Sequence, residues 1–551
     1  MEKEFRSRLR VIQDSLKRKL QCTPLGYRPV KPGEDQQQLF RFQRLSTRSV
    51  SAFIGISVAL IYLATLTSDY YWDGITFALQ IEKVAKGESG AEILFHQNHL
   101  LYNALGYLLY QASHAAGFAV RAVSLLQIAN ALIGGLAVAV FFRIAERAIQ
   151  SRYVSVVCSA ALAVSAAWWK ISTDADAYIL TSLLVLIAAA NLLGAKPRWF
   201  VAGAAVAGAM LIHEMASLFF PAALFAVFLN RKIDNRLRFA VAMSAVTWAV
   251  TISGYYVCAA RLHNLTRPLD VLRWVTSNPS GKHLSSSPVG GLLVFPKINI
   301  DAIIGHNFEL FGRQSGWAEL TIVFCAVIAG MIFVIRISRS VELARALRTL
   351  RQWAPGTSEI GLRIAPVLSI WIATYALFLL FWGPLIYFRA TYTPAIVLGL
   401  GLALANYHRV TGAKPSGAAA IAVVALGLFN LGFYIGPNMR SDANVMVAAA
   451  KRANSQWVEE TVIFFADRNE VDTAFEYFNR GTRWKRLSRA AALTLSDEVA
   501  RIHDEGGEVW LNRGAVELAG EQEMGDCRII DEITVEMPNA RPQYVQVEPV
   551  Q

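Results

Sequence analysis

The residues best suited to chemistry sit where long apolar runs end. Asp69 and Asp73 lie in SDYYWDGITFALQIEK, just beyond the run Val50–Leu66. Asp174 and Asp176 lie in STDADAY, beyond Tyr153–Trp169, and His213-Glu214 separates Trp199–Ile212 from Met215–Leu229. Arg389 and Tyr392 lie in GPLIYFRATYTP, where the run Thr391–Tyr407 begins. His96 and His99 stand in FHQNHLLY, and the long segment Arg261–Gly316 adds Lys297 together with His263, His283 and His306. A carboxylate can take the proton of a poor nucleophile, and a cation can hold a phosphate through charge-assisted hydrogen bonds. Ionisable groups at membrane depth are costly, which makes each a functional candidate. Each also has a purely structural reading. Asp69, Asp174 and Asp176 suit helix caps, Asp73 suits the positive end of a helix dipole, His213-Glu214 suits a hairpin break, and Arg389 suits a snorkelling side chain. His96 and His99 lack a third ligand at zinc spacing, so no metal is assigned to them. Asp69, Asp73, Asp174 and Glu214 are oxygen donors of the kind that Mg or Mn prefers, and that alternative stays open.

The elements that must position these residues are membrane helices. The 551 residues are 54% hydrophobic and only 17% charged, against about 25% charged in soluble domains, and the mean hydropathy is +0.37. A spanning helix needs about 20 mostly apolar residues. Besides the runs already named, Val123–Phe142, Tyr178–Leu193, Phe239–Ala260, Trp317–Ile335, Ile364–Trp382 and Ala418–Ile435 qualify, making about eleven spans. The pair flanking His213-Glu214 is short. The segment His99–Phe118 carries His99, Asn103, Gln111, Ser113 and His114, and reads as a helix lying in the interface rather than a span. Apolar residues after Asp73 suggest a second in-plane helix.

The net charge of +12 then divides by side. The N-terminal tail and the loops on its side hold 29 basic and 9 acidic residues, whereas the other loops before residue 438 hold 11 and 12. That is the positive-inside pattern, with the tail cytoplasmic, and it removes the nucleic-acid reading of a basic chain. Residues 438–551 hold 13 basic and 20 acidic residues and alternate strand-like and helix-like stretches. They read as a small α/β domain outside the membrane. The expected organisation is therefore a basic cytoplasmic tail over 1–48, a transmembrane domain over 49–437 and an outer domain over 438–551. Five scattered cysteines supply neither a disulfide framework nor a CxxC motif.

The order of these motifs resembles the GT-C superfamily of membrane glycosyltransferases, in the style of the bacterial aminoarabinose transferases and the protein O-mannosyltransferases. Asp73-Gly74-Ile75-Thr76-Phe77-Ala78 is similar to the acidic motif opening that family's first outer loop, with Gly74 where relatives often carry Glu. His96–Tyr102 stands where relatives have a His-Pro-Pro or Lys-Pro-Pro stretch, here without the prolines. Ser172–Asp176 resembles the Asp-containing end of the family's third span, and Arg389–Pro394 its Arg-Tyr-x-x-Pro element. The resemblance covers roughly Val50 to Ile435. It implies an all-α polytopic membrane protein of GT-C type, with in-plane helices in the first outer loop and a small α/β extracytoplasmic C-terminal domain.

The resemblance also implies a glycosyltransferase that moves a sugar from a polyprenyl-phosphate-linked donor to a lipid, glycan or protein acceptor. Asp73 would be the general base, with Asp69 as a second carboxylate. Arg389, Tyr392 and Lys297 would meet the donor phosphate, and His96, His99, Asp174, Asp176, His213 and Glu214 would surround the site. One base and one displacement imply inversion. No GxGxxG or P-loop fingerprint is present, in keeping with a lipid-linked rather than a nucleotide-linked donor. Short interhelical loops favour a bacterial inner membrane, with the N-terminus cytoplasmic and the C-terminus periplasmic. The alternative is a multi-pass transporter or lipid flippase, although no internal repeat is evident and the carboxylates cluster at one face rather than at the midplane. A catalytically inactive GT-C relative serving as an assembly factor is a further alternative. A reporter fused at Gln551 is expected to report the outer side; a cytoplasmic signal would invert this topology.

Overall fold

The computed structural model describes residues 45–194, 196–277, 299–305, 359–382, 387–411, 417–441, 443–444, 447–448, 450–451, 461–466, 469–478, 483–487, 494–513, 515–517, 527–534 and 543–549. The expected tail up to residue 44, Lys297 and the run Trp317–Ile335 lie outside them. Helix α1, Thr47–Ala64, is followed by α2, Trp72–Lys86, and α3, Tyr102–Ala115. Gly87 closes α2 at φ 75°, a conformation that glycine adopts without Cβ strain. Helix α3 has 14 residues, about 21 Å, and falls short of the roughly 30 Å hydrocarbon core. Then come α4, Ala122–Ile149, α5, Arg152–Val164, and α6, Ala166–Thr173. Next are α7, Tyr178–Leu192, and α8, Trp199–Ile212; a 3-10 turn, Glu214–Phe219, leads into α9, Phe220–Leu229. After α10, Arg236–Leu262, and α11, Pro268–Thr276, follow α12, Glu359–Trp382, α13, Tyr387–Ala390, and α14, Thr393–Thr411. Helix α15, Ala418–Asn430, passes through a π-helical turn, Leu431–Ile435, into α16, Gly436–Met439.

Every expected apolar run that falls on described residues is helical. Among the described residues, five helices are long and apolar enough to cross a membrane, and α5 with α6 forms a sixth candidate bent by 61°. Three further apolar helices are shorter, including the two flanking His213. The chain is a polytopic membrane protein. Phe53, Ile56 and Leu60 stand exposed at helical spacing on α1, as a stripe facing lipid would.

Small residues set the tightest crossing. A Cβ on Gly55 of α1 would lie 2.9 Å from that of Ala139, and one on Gly135 of α4 would lie 2.4 Å from the carbonyl of Gly55. The Ser51 hydroxyl donates to Ala139 O at 2.9 Å across the same seam. Without a hydrophobic driving force between helices in lipid, such close backbone approach and interhelical hydrogen bonds carry the association.

Residues 461–549 contribute a five-stranded mixed sheet of order β2-β1-β3-β5-β4. Its strands are β1, Val462–Ala466, β2, Arg483–Leu487, β3, Val509–Asn512, β4, Cys527–Thr534, and β5, Gln543–Pro549. Strand β1 runs parallel to β2 and β3, with Val462 opposite both Arg483 and Val509, while β5 pairs antiparallel with β3 and β4. Helices α17, Asn469–Phe478, and α18, Leu495–Asp504, follow β1 and β2.

Helix α17 also fastens this sheet region to the in-plane helix α2. Glu82 of α2 accepts from Arg121 Nε at 2.7 Å, Ala122 N at 3.0 Å and the Tyr477 hydroxyl at 2.8 Å. Arg121 donates to Tyr477 O at 2.8 Å and lies 3.9 Å over its ring, and Lys83 pairs with Glu476. Burial by itself would raise the Glu82 carboxyl; the Arg121, Ala122 and Tyr477 donors outweigh it and hold the group below its ordinary range. A carboxyl lowered in this way stabilises the fold above its unfolded pKa, and the contribution is lost as pH falls through the folded value. Tyr477→Phe removes one donor to Glu82 and leaves Val123 N, which now bonds the Tyr477 hydroxyl at 3.0 Å, without that acceptor. A loss of about 1–3 kcal/mol is expected from denaturant unfolding in detergent.

Candidate active site

A broken helix builds the centre of the site. At Ser165 the chain turns between α5 and α6, and the freed groups find partners: Asn430 Nδ2 donates to Val164 O at 2.7 Å, while Ala166 N and Ala167 N donate to Ile303 O and Ala302 O at 3.2 and 2.9 Å. The bend aims α6 so that Lys170, fully buried, donates to Asp174 Oδ2 at 2.8 Å and to the main-chain carbonyl of Asp69. The Asp69 carboxylate lies 3.9 Å from the same ammonium. Burial raises the Asp69 carboxyl, and Lys170 opposes that rise. Asp174 also accepts from Tyr71 N at 2.9 Å and Ala175 N at 2.8 Å. It therefore organises the loop from inside rather than facing substrate. Asn438 O receives Ser68 N and Asp69 N at 2.7 and 3.1 Å, which ties the loop to α16.

Helix α4 supports the turn from beneath. Gln127 Nε2 donates to Thr67 O and Thr173 O, and Asn130 Nδ2 to Asp174 O and Asp176 O, all at 2.7–2.9 Å. This leaves Asp73 half-exposed in the first turn of α2. A Cβ on its neighbour Gly74 would come within 2.7 Å of Ala175 O. The close approach of α2 to the Asp174–Asp176 turn explains the glycine: no side chain fits between these backbones. Asp176 is 1% exposed. Its Oδ1 accepts from Ala177 N at 2.6 Å, and its Oδ2 has no hydrogen-bond partner among the described residues. Burial, then the charge of Asp73, then that of Asp174, push its carboxyl well above the usual carboxylate range. The two carboxyls are thus unlike: burial raises that of Asp176, and Asp73 is the one that solvent reaches.

Around them lies an aromatic wall. Tyr71 packs on Tyr387 with ring centroids 4.5 Å apart, and Tyr178 on Phe388 at 5.8 Å and on His213 at 4.6 Å. His99 meets His213 edge-on at 4.5 Å and Phe77 at 5.1 Å. The backbone joins the same segments, Leu101 N to Leu211 O at 2.9 Å and Glu214 N to Asn98 O at 3.2 Å. His99, His213 and Glu214 are accordingly brought beside α2, with His99 and His213 buried among rings. His96 stacks on His99 at 6.1 Å. Arg389 is 2% exposed on α13 and is hydrogen-bonded to Tyr392, whose hydroxyl donates to Asn299.

Neither a protein-family model nor a curated protein matches the sequence. Solved structures do. The chain is similar to ArnT from Cupriavidus metallidurans bound to undecaprenyl phosphate, at 11% identity and a TM-score of 0.53, covering 90% of this chain and 97% of that one. Against the apo state of the same protein the values are 11%, 0.54, 91% and 98%. The fold is of the GT-C type.

Among the described residues, Asp69 and Asp174 are not free to ligate a divalent cation. Among the described residues no group of three or more His, Cys, Asp or Glu side chains could hold a metal. Asp69 and Asp174, half of the oxygen set weighed from the sequence, already share the ammonium of Lys170. A second cation there would meet a buried like charge. Lys170 itself is the residue that sequence reasoning missed. Its signal was available: a lysine at the end of an apolar run, four positions before an aspartate, places both on one helical face. Gln127 and Asn130, three apart inside the apolar run of α4, carried the same kind of signal.

Asp176 generates a pH prediction. The folded chain keeps a proton that the unfolded chain releases, so stability falls as pH rises above the unfolded value. Asp176→Asn removes that dependence. Thermal scans in detergent are expected to show wild type losing Tm relative to Asp176→Asn between pH 5 and pH 8; parallel curves would mean that Asp176 is ionised.

Proposed function

We propose that the chain is a membrane glycosyltransferase that moves a sugar from a polyprenyl-phosphate-linked donor to an acceptor on the outer face of a bacterial inner membrane. The observation that carries the reading is the placement of Asp73, a solvent-reachable carboxylate beside the buried Asp176. It lies in a fold shared with an ArnT structure that holds undecaprenyl phosphate. Two neighbouring carboxyls in unlike environments, one buried and one reached by solvent, are a usual mark of divided acid–base roles.

On this reading Asp73 takes the proton of the acceptor hydroxyl or amine as that atom attacks the anomeric carbon. The bond from the sugar to the phosphate oxygen breaks, and its electron pair stays on the lipid phosphate. One displacement of this kind inverts the anomeric centre. Arg389 stabilises the charge that grows on the phosphate, and in a buried setting such a cation acts with little screening. Lys170 does not contact substrate; it holds Asp69 and Asp174 so that the Tyr71–Gly74 segment presents Asp73. The basic tail lies in the cytoplasm, and the C-terminal sheet region lies on the outer side, docked on α2.

Asp73→Asn is expected to lower sugar transfer in a membrane assay by about 10²–10⁴-fold, the range for loss of a general base, with expression and Tm retained. Arg389→Ala is expected to raise the donor KM and lower kcat by about 10²-fold or more. Normal turnover by Asp73→Asn would refute the base assignment. Unchanged donor use by Arg389→Ala would remove the phosphate role.

A further inference from the structure

At the end of α2 away from Asp73, that helix meets α3, residues 119–121 and α17 around a cavity of about 370 Å³. Glu82 lies nine positions along α2 from Asp73, about 14 Å at the rise of an α-helix, so the cavity is separate from that carboxylate. Its volume falls within the roughly 300–1,000 Å³ of sites that hold small molecules. Three cations and three carboxylates line it, and they are matched. Arg121 bonds Glu82 at 2.7 Å, Lys83 pairs with Glu476, and Lys86 lies 3.6 Å from Glu88. Tyr110 and His114, one turn apart on α3 with ring centroids at 4.1 Å, make the wall partly aromatic. The ring of Tyr477 is already covered, because Arg121 lies over it at 3.9 Å.

Glu82 supplies the polar contact that commits the site. Its side chain is only 6% exposed. Arg121 Nε, Ala122 N and the Tyr477 hydroxyl all donate to Oε1, and Oε2 has no hydrogen-bond partner among the described residues. Nor is Oε2 sealed from solvent; it opens on the cavity that Glu82 lines. A molecule entering the cavity displaces water from this oxygen and must return a donor. An anion brings no such donor and finds each cation already paired. A cation brings one, but the carboxylates that would offset the cost of taking its charge out of water are paired as well. An uncharged ligand rich in hydroxyl groups meets both requirements, and an apolar C–H face suits the aromatic rings.

We infer that this cavity binds an uncharged pyranose ring, with a ring hydroxyl donating to Glu82 Oε2 and a C–H face set against Tyr110 and His114. A hydroxyl donating to a carboxylate makes one of the stronger hydrogen bonds available to a neutral ligand. The inference concerns binding and does not rest on Asp73 acting as a base.

The test is ligand-observed NMR titration of the full chain in a detergent without a sugar head group, with the methyl glycosides of glucose, galactose and mannose as probes. At least one is expected to bind. It should bind more tightly than sorbitol, which has the hydroxyls without the ring, and than methyl glucuronide, which adds a negative charge. E82Q is expected to weaken that probe by about 10-fold, as a hydrogen bond to a charged group gives way to a neutral one. Y110L, in the aromatic wall and outside the Glu82 cluster, is expected to weaken it too while keeping the wild-type Tm. Y477F disturbs the same cluster but leaves Oε2 in place, and is expected to bind the probe as wild type does. D73N is expected to bind as wild type, so the base assignment and this site stand or fall separately. No binding by any of the three glycosides, or equal binding of sorbitol or methyl glucuronide, would overturn the proposal. So would an unchanged affinity in E82Q or Y110L, or a loss in Y477F or D73N as large as that in E82Q.

Discussion

The structure turns on one buried ammonium. Lys170 has no access to water, and an isolated charge in that position would be expensive. It is tolerated because Asp174 lies one helical turn further on, and because the carbonyl and carboxylate of Asp69 close over it from the loop after α1. Removing one partner of such a cluster strands the others. The loop Thr67–Tyr71, the end of α6 and the start of α2 are therefore held together by a single electrostatic requirement. The bend at Ser165 is part of that requirement, since a straight α5–α6 would not bring Lys170 to the loop.

A second constraint is steric. The first turn of α2 rests on the Asp174–Asp176 turn with no room for a side chain at Gly74. A small residue there lets two backbones meet, and that contact sets Asp73 beside Asp176. On the proposed mechanism the second acidic function is supplied from the neighbouring turn rather than from the next residue along the chain. The remaining polar atoms of the loop are accounted for by Gln127, Asn130 and Asn438, so that the irregular backbone at the membrane surface leaves few main-chain groups unpaired.

Among the described residues, the C-terminal sheet region joins this arrangement through α17. Glu82, Arg121 and Tyr477 form a small polar knot at the far end of α2 from Asp73. Nine residues of helix, about 14 Å, separate the two. Helix α2 is thus fixed at one end by the Asp174–Asp176 turn and at the other by α17. On the proposed mechanism, a base on a helix pinned at both ends is pre-organised in the way that transition-state stabilisation favours.

Much of this was legible in the residues. Apolar runs gave the helices because the bilayer imposes a length and a composition, and they did so where sequence identity to ArnT is 11%. Clustered lysines and arginines gave an expected orientation, and polar residues at run ends marked Asp69, Asp73, Asp174, Asp176, His213, Glu214 and Arg389 as a group. Periodicity could not assign their roles. Asp174 looked like Asp73, yet one is sealed against Lys170 and the other meets solvent. His99 and His213 were candidates for the lining of the site, and they pack among Phe77 and Tyr178. The sequence determined which segments enter the membrane and which residues lie at their ends, because hydrophobic length and charge act locally along the chain. Only the tertiary structure decided which carboxyl pairs with Lys170, which is buried beside it and which meets solvent, because those properties depend on burial and on groups supplied by segments a hundred residues away.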